Sequence, residues 1–171
     1  MELVHLFDKF RAVKGFVIDV DGVLTNNSVL VTEAGEALRT MNVRDGQAIR
    51  WALRAGFKIC VITGGRSEGV KKRLTELGVE EYYSGTNDKW PACQSFMQRT
   101  GIEASELCYM GDDLPDLPVL TRVILSACPS DAVPEVISVC DYTAPVKGGD
   151  GCVRDIIEKV MKVQDLWKIE F

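Results

Sequence analysis

The sequence predicts an α/β protein with a three-layer, Rossmann-like, mainly parallel sheet and helices on both faces. Short apolar runs alternate with longer stretches of helical spacing, which is the pattern of repeated βα units. Polar residues follow several of the short runs directly. The chain has 171 residues, 46% of them hydrophobic, so it can bury one sizeable core. We therefore expect a single domain spanning residues 1–171.

The strands are predicted from apolar runs that each stop at a polar group. Three runs share this feature: residues 15–18 before Asp19, 57–62 before Thr63, and 107–110 before Gly111, Asp112 and Asp113. Ligands of open α/β sheets bind just beyond the carboxyl ends of the strands. These polar residues are therefore expected to meet at one edge of the sheet.

A β-hairpin is predicted at about residues 28–43. Residues 28–32 and 37–43 favour strands, and the Glu33-Ala34-Gly35-Glu36 segment between them is typical of a longer hairpin loop. The hairpin interrupts the alternation of strands and helices. We expect it to project from the edge that carries the polar residues.

Four helices are predicted from apolar residues that share one helical face. N-caps are expected at Asp45, Asp88 and Ser105, and helix ends at Gly56, Gly78 and Gly101. The chain then ends with an unusually apolar tail. The stripes are Ile49, Ala52 and Leu53; Val70, Leu74 and Leu77; Cys93, Phe96 and Met97; and Val153, Ile156, Ile157, Val160 and Met161; the tail carries Leu166, Trp167, Ile169 and Phe171.

The amino-acid composition excludes several classes of function. The net charge of -5 disfavours a nucleic-acid surface, and an anionic substrate would need local cations or a metal ion. Residues 1–14 contain no signal peptide or membrane span, and no Cys-x-x-Cys pair occurs among the six cysteines. We therefore expect a cytoplasmic protein. The single histidine, His5, cannot form a histidine cluster or a Ser-His-Asp triad by itself.

The segment from Asp19 to Thr25, DVDGVLT, places two carboxylates two residues apart after an apolar strand. Carboxylates this close require a cation or a shared proton. By itself the motif also fits a pair of solvated turn residues, with Asp21 and Gly22 in the turn. Thr63, Lys89 and the Gly111-Asp112-Asp113 turn follow in order, each at the end or start of an element.

These four segments resemble the motifs of the haloacid dehalogenase superfamily. The resemblance implies a magnesium-dependent phosphatase with Asp19 as nucleophile and Asp21 as general acid/base. Thr63 and Lys89 would hold the phosphate oxygens, and Mg²⁺ would bind Asp19, Asp112 and the backbone carbonyl of Asp21. Asp113 and Asp116 are expected to orient Asp112 or Lys89, with simple helix capping as the alternative reading.

About 40 residues separate Asp21 from Thr63, which is too few for a cap domain beside the hairpin and one helix. The chain therefore resembles the capless branch. Residues 42–46 and the Gly148-Gly149-x-Gly151-x-x-Arg154 loop resemble the 3-deoxy-D-manno-octulosonate 8-phosphate phosphatases of lipopolysaccharide sugar synthesis. That resemblance implies a homotetramer in which a neighbouring subunit helps to close the site.

The implied substrate is a small phosphorylated sugar acid. Gly64, Gly65, Arg66 and Arg44 are candidate substrate-binding residues, because a phosphate and a carboxylate both need positive partners. Relatives acting on nine-carbon sugar acid 9-phosphates tend to carry Glu-Lys after Thr-Gly, and Gly65-Arg66 departs from that pattern. The eight-carbon substrate is favoured, with the nine-carbon substrate and a noncatalytic or receiver-like phosphoryl-accepting domain as alternatives.

Overall fold

A parallel sheet lies at the centre of the fold in residues 5–168, the part of the chain that the computed structural model describes. Its six strands run in the spatial order β5-β4-β1-β6-β7-β8, and β2 and β3 form a separate antiparallel ribbon. The strands are β1 Gly15–Ile18, β2 Leu30–Val31, β3 Ala37–Leu38, β4 Lys58–Thr63, β5 Glu81–Ser84, β6 Leu107–Met110, β7 Leu125–Cys128 and β8 Tyr142–Thr143. The predicted fold class is confirmed.

Helices cover both faces of this sheet. On one face lie α1, α2, α3 and α7, and on the other lie α4, α5 and α6. Their bounds are α1 Leu6–Ala12, α2 Val43–Arg54, α3 Glu68–Leu77, α4 Lys89–Thr100, α5 Leu117–Leu120, α6 Pro134–Val139 and α7 Cys152–Val163. Among the described helices, none is long and apolar enough to cross a membrane.

The two helical layers pack on opposite sides of the pleat. Along β1, Phe16 and Ile18 face the first layer and Val17 faces the second. Successive side chains of a strand point to opposite faces, so a strand covered on both faces must be apolar throughout. This explains why the predicted strands read as unbroken apolar runs.

The hairpin is present but shorter than predicted. Its strands cover only Leu30–Val31 and Ala37–Leu38, and Val43 belongs to α2 instead of the second strand. Helix α2 begins early because the side chain of Asn42 accepts a hydrogen bond from the backbone N–H of Arg44 at 2.8 Å. Asn42, and not Asp45, is therefore the N-cap.

The remaining helix boundaries were predicted with mixed success. Asp88 caps α4, and Gly78 and Gly101 end α3 and α4 in the left-handed conformation, as predicted. Ser105 is not an N-cap, since it lies inside the short 3₁₀ turn Ala104–Glu106. In the apolar tail, Trp167 packs edge-on against Trp51 with ring centroids 5.0 Å apart, whereas Ile169 and Phe171 lie outside the described residues.

Candidate active site

The site begins where the central strand β1 ends. Asp19 lies between the ends of β4 and β6, and its backbone N–H donates to Met110 of β6. The chain then winds into a tight turn, Val20–Leu24, in which Gly22 has a φ of 86°. The buried hydroxyl of Thr25 closes the turn by donating to the carbonyl of Val20 at 3.2 Å. This turn brings Asp21 around to the same side as Asp19.

Lys89 lies at the start of α4 and is almost completely buried beside Asp19. Its Nζ is 2.9 Å from Asp19 Oδ2 and 2.6 Å from Asp116 Oδ1. Burial lowers the pKa of Lys89, but the two carboxylates outweigh this effect, so the pKa is raised. The lysine therefore stays charged, as the prediction of a phosphate anchor requires.

Asp116 acts as the hub of the loop after β6. Besides Lys89, it accepts hydrogen bonds from the Tyr109 hydroxyl at 2.5 Å and from the backbone N–H groups of Asp112 and Asp113 at 2.9 and 3.1 Å. Gly111 makes room for it, since a Cβ there would lie 2.3 Å from Asp116 Cγ. These contacts fix Lys89 and the loop that carries Asp112 with respect to each other.

Asp112 lies in the site with one carboxylate oxygen that accepts no hydrogen bond from the described residues. Its Oδ1 is buried and has no hydrogen-bond partner in the described residues, while Oδ2 accepts from Asn27 Nδ2 at 3.4 Å. A Cβ on Gly22 would lie 2.0 Å from Oδ2. The close approach of Asp112 to the turn after β1 therefore requires glycine at position 22.

Without a bound cation, ionising Asp19 and Asp112 together costs free energy. Burial, followed by the charge of Asp116, raises the pKa of Asp19 to about 7, although Lys89 opposes the change. Burial and the charges of Asp19 and Asp116 raise the pKa of Asp112 to about 8. A cation bound between them would remove much of this cost.

A cavity of about 330 Å³ opens over these groups. The buried Thr63, at the end of β4, forms part of its wall, and its Oγ1 accepts from the backbone N–H of Gly65 at 3.1 Å. The predicted site residues share the lining with four residues that the sequence motifs did not indicate, Asn27, Thr86, Asn87 and Pro115. The lining residues are Asp19, Asp21, Asn27, Thr63, Gly64, Gly65, Thr86, Asn87, Lys89, Asp112, Asp113, Pro115 and Asp116.

Asp21 is held by an arginine that the sequence analysis did not select. Arg39, just after β3, donates from Nε to Asp21 Oδ1 at 2.6 Å and from Nη2 to Oδ2 at 3.3 Å. Its side chain is only 10% exposed, although the four strand residues of the preceding ribbon are exposed. The hydrogen bond to Asp21 raises the pKa of the guanidinium, so Arg39 is charged.

The Gly148-Gly149 loop supports the turn after β1 from behind. The N–H of Gly149 donates to Val23 O at 2.9 Å, and a Cβ on Gly148 would lie 1.9 Å from Gly22 O. Asn42 ties the same loop to α2 by donating to Gly149 O at 3.1 Å. The two segments of the octulosonate-phosphatase resemblance thus contact each other behind the site.

Comparison with known proteins assigns the family. The sequence profile of the haloacid dehalogenase-like hydrolases matches residues 83–156. The chain is also 34% identical over 160 residues to the 3-deoxy-D-manno-octulosonate 8-phosphate phosphatase of Salmonella typhi, covering 94% of this chain and 85% of that protein.

This chain belongs to the haloacid dehalogenase-like hydrolases.

Solved structures of other hydrolases in this family have the same fold. The 3-deoxy-D-manno-octulosonate 8-phosphate phosphatase of Yersinia pestis superposes with a TM-score of 0.92 at 31% identity, covering 94% of this chain and 87% of that one. That of Moraxella catarrhalis, in complex with magnesium, phosphate and a KDO molecule, gives 0.91 at 30% identity and 94% coverage of both chains.

The residues of this hydrolase fit a magnesium ion. Asp19, Asp112 and Asp116 each offer one oxygen within 4.8 Å of the others, and hard carboxylate oxygens are the ligands that Mg²⁺ prefers. Asp116 already accepts from Lys89, Tyr109 and two backbone N–H groups. Asp19 and the unpartnered Oδ1 of Asp112 are therefore better placed to hold the ion.

Three predicted site residues have contacts other than those expected. The exposed Asp113 accepts a hydrogen bond from the N–H of Leu114 at 2.8 Å. This contact is helix capping, the alternative named for Asp113, and it does not orient Asp112 or Lys89. Arg44 is exposed beside a separate cavity near Arg154, and the exposed Arg66 packs near Gly85. Neither arginine lines the cavity over Asp19.

Proposed function

We propose that this hydrolase releases phosphate from 3-deoxy-D-manno-octulosonate 8-phosphate through a phospho-aspartate on Asp19. The observation that carries the proposal is the placement of Asp19 between Lys89, Asp112 and Asp21 in one cavity. The names of the relatives from Salmonella typhi and Moraxella catarrhalis support the choice of substrate.

In the first step, a carboxylate oxygen of Asp19 attacks phosphorus in line with the bond to the sugar oxygen. As that bond breaks, Asp21 gives its proton to the sugar oxygen, and the sugar acid leaves as an alcohol. Lys89 and the Thr63 hydroxyl stabilise the charge that develops on the transferring oxygens. The network of Asp116 keeps the ammonium group of Lys89 in place.

In the second step, water attacks the phosphorus of the phospho-aspartate. Asp21, now ionised, accepts a proton from that water, and the Asp19 carboxylate is the leaving group. Phosphate leaves, and both aspartates return to their starting forms. The same carboxyl group thus serves as acid and then as base.

Mg²⁺ would be held by Asp19, Asp112 and the backbone carbonyl of Asp21. When bound, it would offset the repulsion between these carboxylates and the incoming phosphate. The neutral forms that burial favours for Asp19 and Asp112 would then give way to the ionised forms. Asp19 would thereby be available as a nucleophile near neutral pH.

We further propose that the active form is a homotetramer built through the hairpin. Leu30 and Val31 are 68% and 66% exposed, and Val29 and Leu38 are exposed as well. A two-stranded ribbon with apolar side chains in water is only marginally stable by itself.

The free thiols of all six cysteines support action in a reducing compartment, the cytoplasm.

A phosphate-release screen with Mg²⁺ tests the proposed function. It should include the eight-carbon sugar acid 8-phosphate, a nine-carbon sugar acid 9-phosphate, and neutral sugar phosphates. We expect the highest kcat/KM with the eight-carbon substrate. A higher value with the nine-carbon substrate would favour that alternative, and no phosphate release from any of them would contradict the proposal.

A further inference from the structure

The further inference concerns Arg39 and rests on the proposed function. A sugar acid phosphate brings two anionic groups, the phosphate and the carboxylate, into an acidic site. Among the described residues lining the cavity, Lys89 is the one cation, and Asp19 and Asp116 already engage it. The carboxylate of the substrate therefore needs a second positive partner.

Arg39 lies where such a partner is needed. It contacts Asp21, the proposed proton donor to the sugar oxygen, and its Nη2 would lie 3.1 Å from a Cβ on Gly65. The guanidinium therefore adjoins both the leaving-group side of the site and the wall of the cavity. None of Arg39, Arg44 and Arg66 lines the cavity itself, but Arg39 contacts the lining residue Asp21, whereas Arg44 and Arg66 are exposed.

The guanidinium of Arg39 also has N–H donors without a partner in the described residues. Nε and Nη2 donate to Asp21, and Nη1 donates to the carbonyl of Ala37 at 3.2 Å. In the described residues, one further N–H on each terminal nitrogen has no partner. Arginine can thus hold one carboxylate with part of its planar fork and bind a second with the rest.

We propose that Arg39 is the specificity-determining residue that binds the carboxylate of the sugar acid while it holds Asp21. The arginine would link recognition of the substrate to the position of the acid/base group. A substrate without a carboxylate would leave part of the guanidinium unpaired, and such a site discriminates against ligands that lack the matching group.

The test compares Arg39→Met, Arg39→Lys and the control Arg54→Met, which alters an exposed arginine at the end of α2. Each is assayed on the eight-carbon sugar acid 8-phosphate and on a neutral sugar phosphate. For Arg39→Met we expect KM for the sugar acid phosphate to rise about 10- to 100-fold. KM for the neutral sugar phosphate should change about threefold or less, and Arg39→Lys should recover part of the loss.

Two results would overturn the inference. One is an equal rise in KM for both substrates, which would limit Arg39 to holding Asp21, and the other is no change in either KM. Light scattering on each variant shows whether the assembly is intact. The wild-type screen keeps the two proposals separate. A wild type that prefers another carboxylate-bearing phosphate refutes the eight-carbon assignment, and Arg39→Met is then tested on that substrate.

Discussion

Lys89 Nζ lies 2.9 Å from Asp19 Oδ2, and both side chains are almost completely buried. A buried ion pair is costly to form, and removing one partner leaves an uncompensated charge. Here Asp116 provides a second carboxylate for Lys89, fixed by Tyr109 and by backbone N–H groups. The arrangement keeps a cation beside the proposed nucleophile.

Replacing Asp21, the proposed general acid/base, should slow turnover without unfolding the chain. For Asp21→Asn we expect hydrolysis of a sugar phosphate to fall about 100-fold or more, because the leaving alkoxide then lacks a proton donor. An aryl phosphate has a better leaving group, so its first step should suffer less. Steady-state kinetics on both substrates measures this, and an unchanged rate on the sugar phosphate would rule out the role of Asp21.

Gly22→Ala tests the close approach of Asp112 to the turn after β1. The new Cβ would lie 2.0 Å from Asp112 Oδ2, and the φ of 86° costs a non-glycine residue about 1–2 kcal/mol. Gly35→Ala is the matched control, because Gly35 has a φ of 81° and nothing within 4 Å of its Cβ position.

We expect both variants to lose some thermal stability and only Gly22→Ala to lose Mg²⁺-dependent activity. Calorimetry and a magnesium titration of activity make the comparison. Equal activity of the two variants would mean that the site tolerates displacement of Asp112.

Magnesium should stabilise the fold more at high pH than at low pH. The raised pKa values of Asp19, about 7, and Asp112, about 8, mean that the metal-free folded state holds protons that the unfolded state releases near pH 4. Their contribution to stability therefore falls as pH rises from about 4 to about 8, and Mg²⁺ replaces the protons.

The measurement is the increase in Tm caused by Mg²⁺ at several pH values between about 5 and about 8. We expect this increase to grow with pH and to be much smaller in Asp112→Asn. An increase independent of pH would argue against binding of the ion by these carboxylates.

The positions of Asp19 and Asp112 at the carboxyl ends of their strands could be predicted because they depend on local sequence. An apolar run followed by Asp19 determines both the strand and the edge at which it ends, and the same holds for Asp112 after β6. The prediction of Asp45 as the N-cap of α2 was wrong, because Asn42 precedes it and has an equally suitable side chain. That choice depends on where the ribbon ends, which local sequence did not reveal.

Arg39 could not be selected from the sequence. It lies 18 residues from Asp21, and its contact depends on where the segment after β3 lies in the folded chain. Likewise, the contact of Tyr109 with Asp116 is a tertiary consequence of the turn after β6. A positive residue next to β3 was the available signal, but charged residues in hairpins are usually solvated.

Assembly through the hairpin is tested by adding charge to its apolar surface. For Leu30→Glu combined with Val31→Glu, we expect a shift from tetramer to smaller species, because both exposed side chains would be buried between subunits. Activity on the sugar acid phosphate should fall far more than activity on an aryl phosphate. Ile137→Glu, at an exposed site on α6, is the control.

Light scattering with kinetics gives the result. A wild-type monomer with full activity would show that one chain completes its own site and would refute the proposed tetramer.

A phospho-aspartate on Asp19 can be tested by trapping the phosphoryl group on that residue. Asp21→Asn, mixed with Mg²⁺ and an aryl phosphate, should accumulate the intermediate because its hydrolysis lacks a general base. After an acid quench, mass spectrometry should find one added phosphoryl group on the peptide that contains Asp19, and none when Asp19→Asn is also present. A phosphoryl group on any other residue, or turnover that survives in Asp19→Asn, would contradict the assignment of Asp19 as the nucleophile.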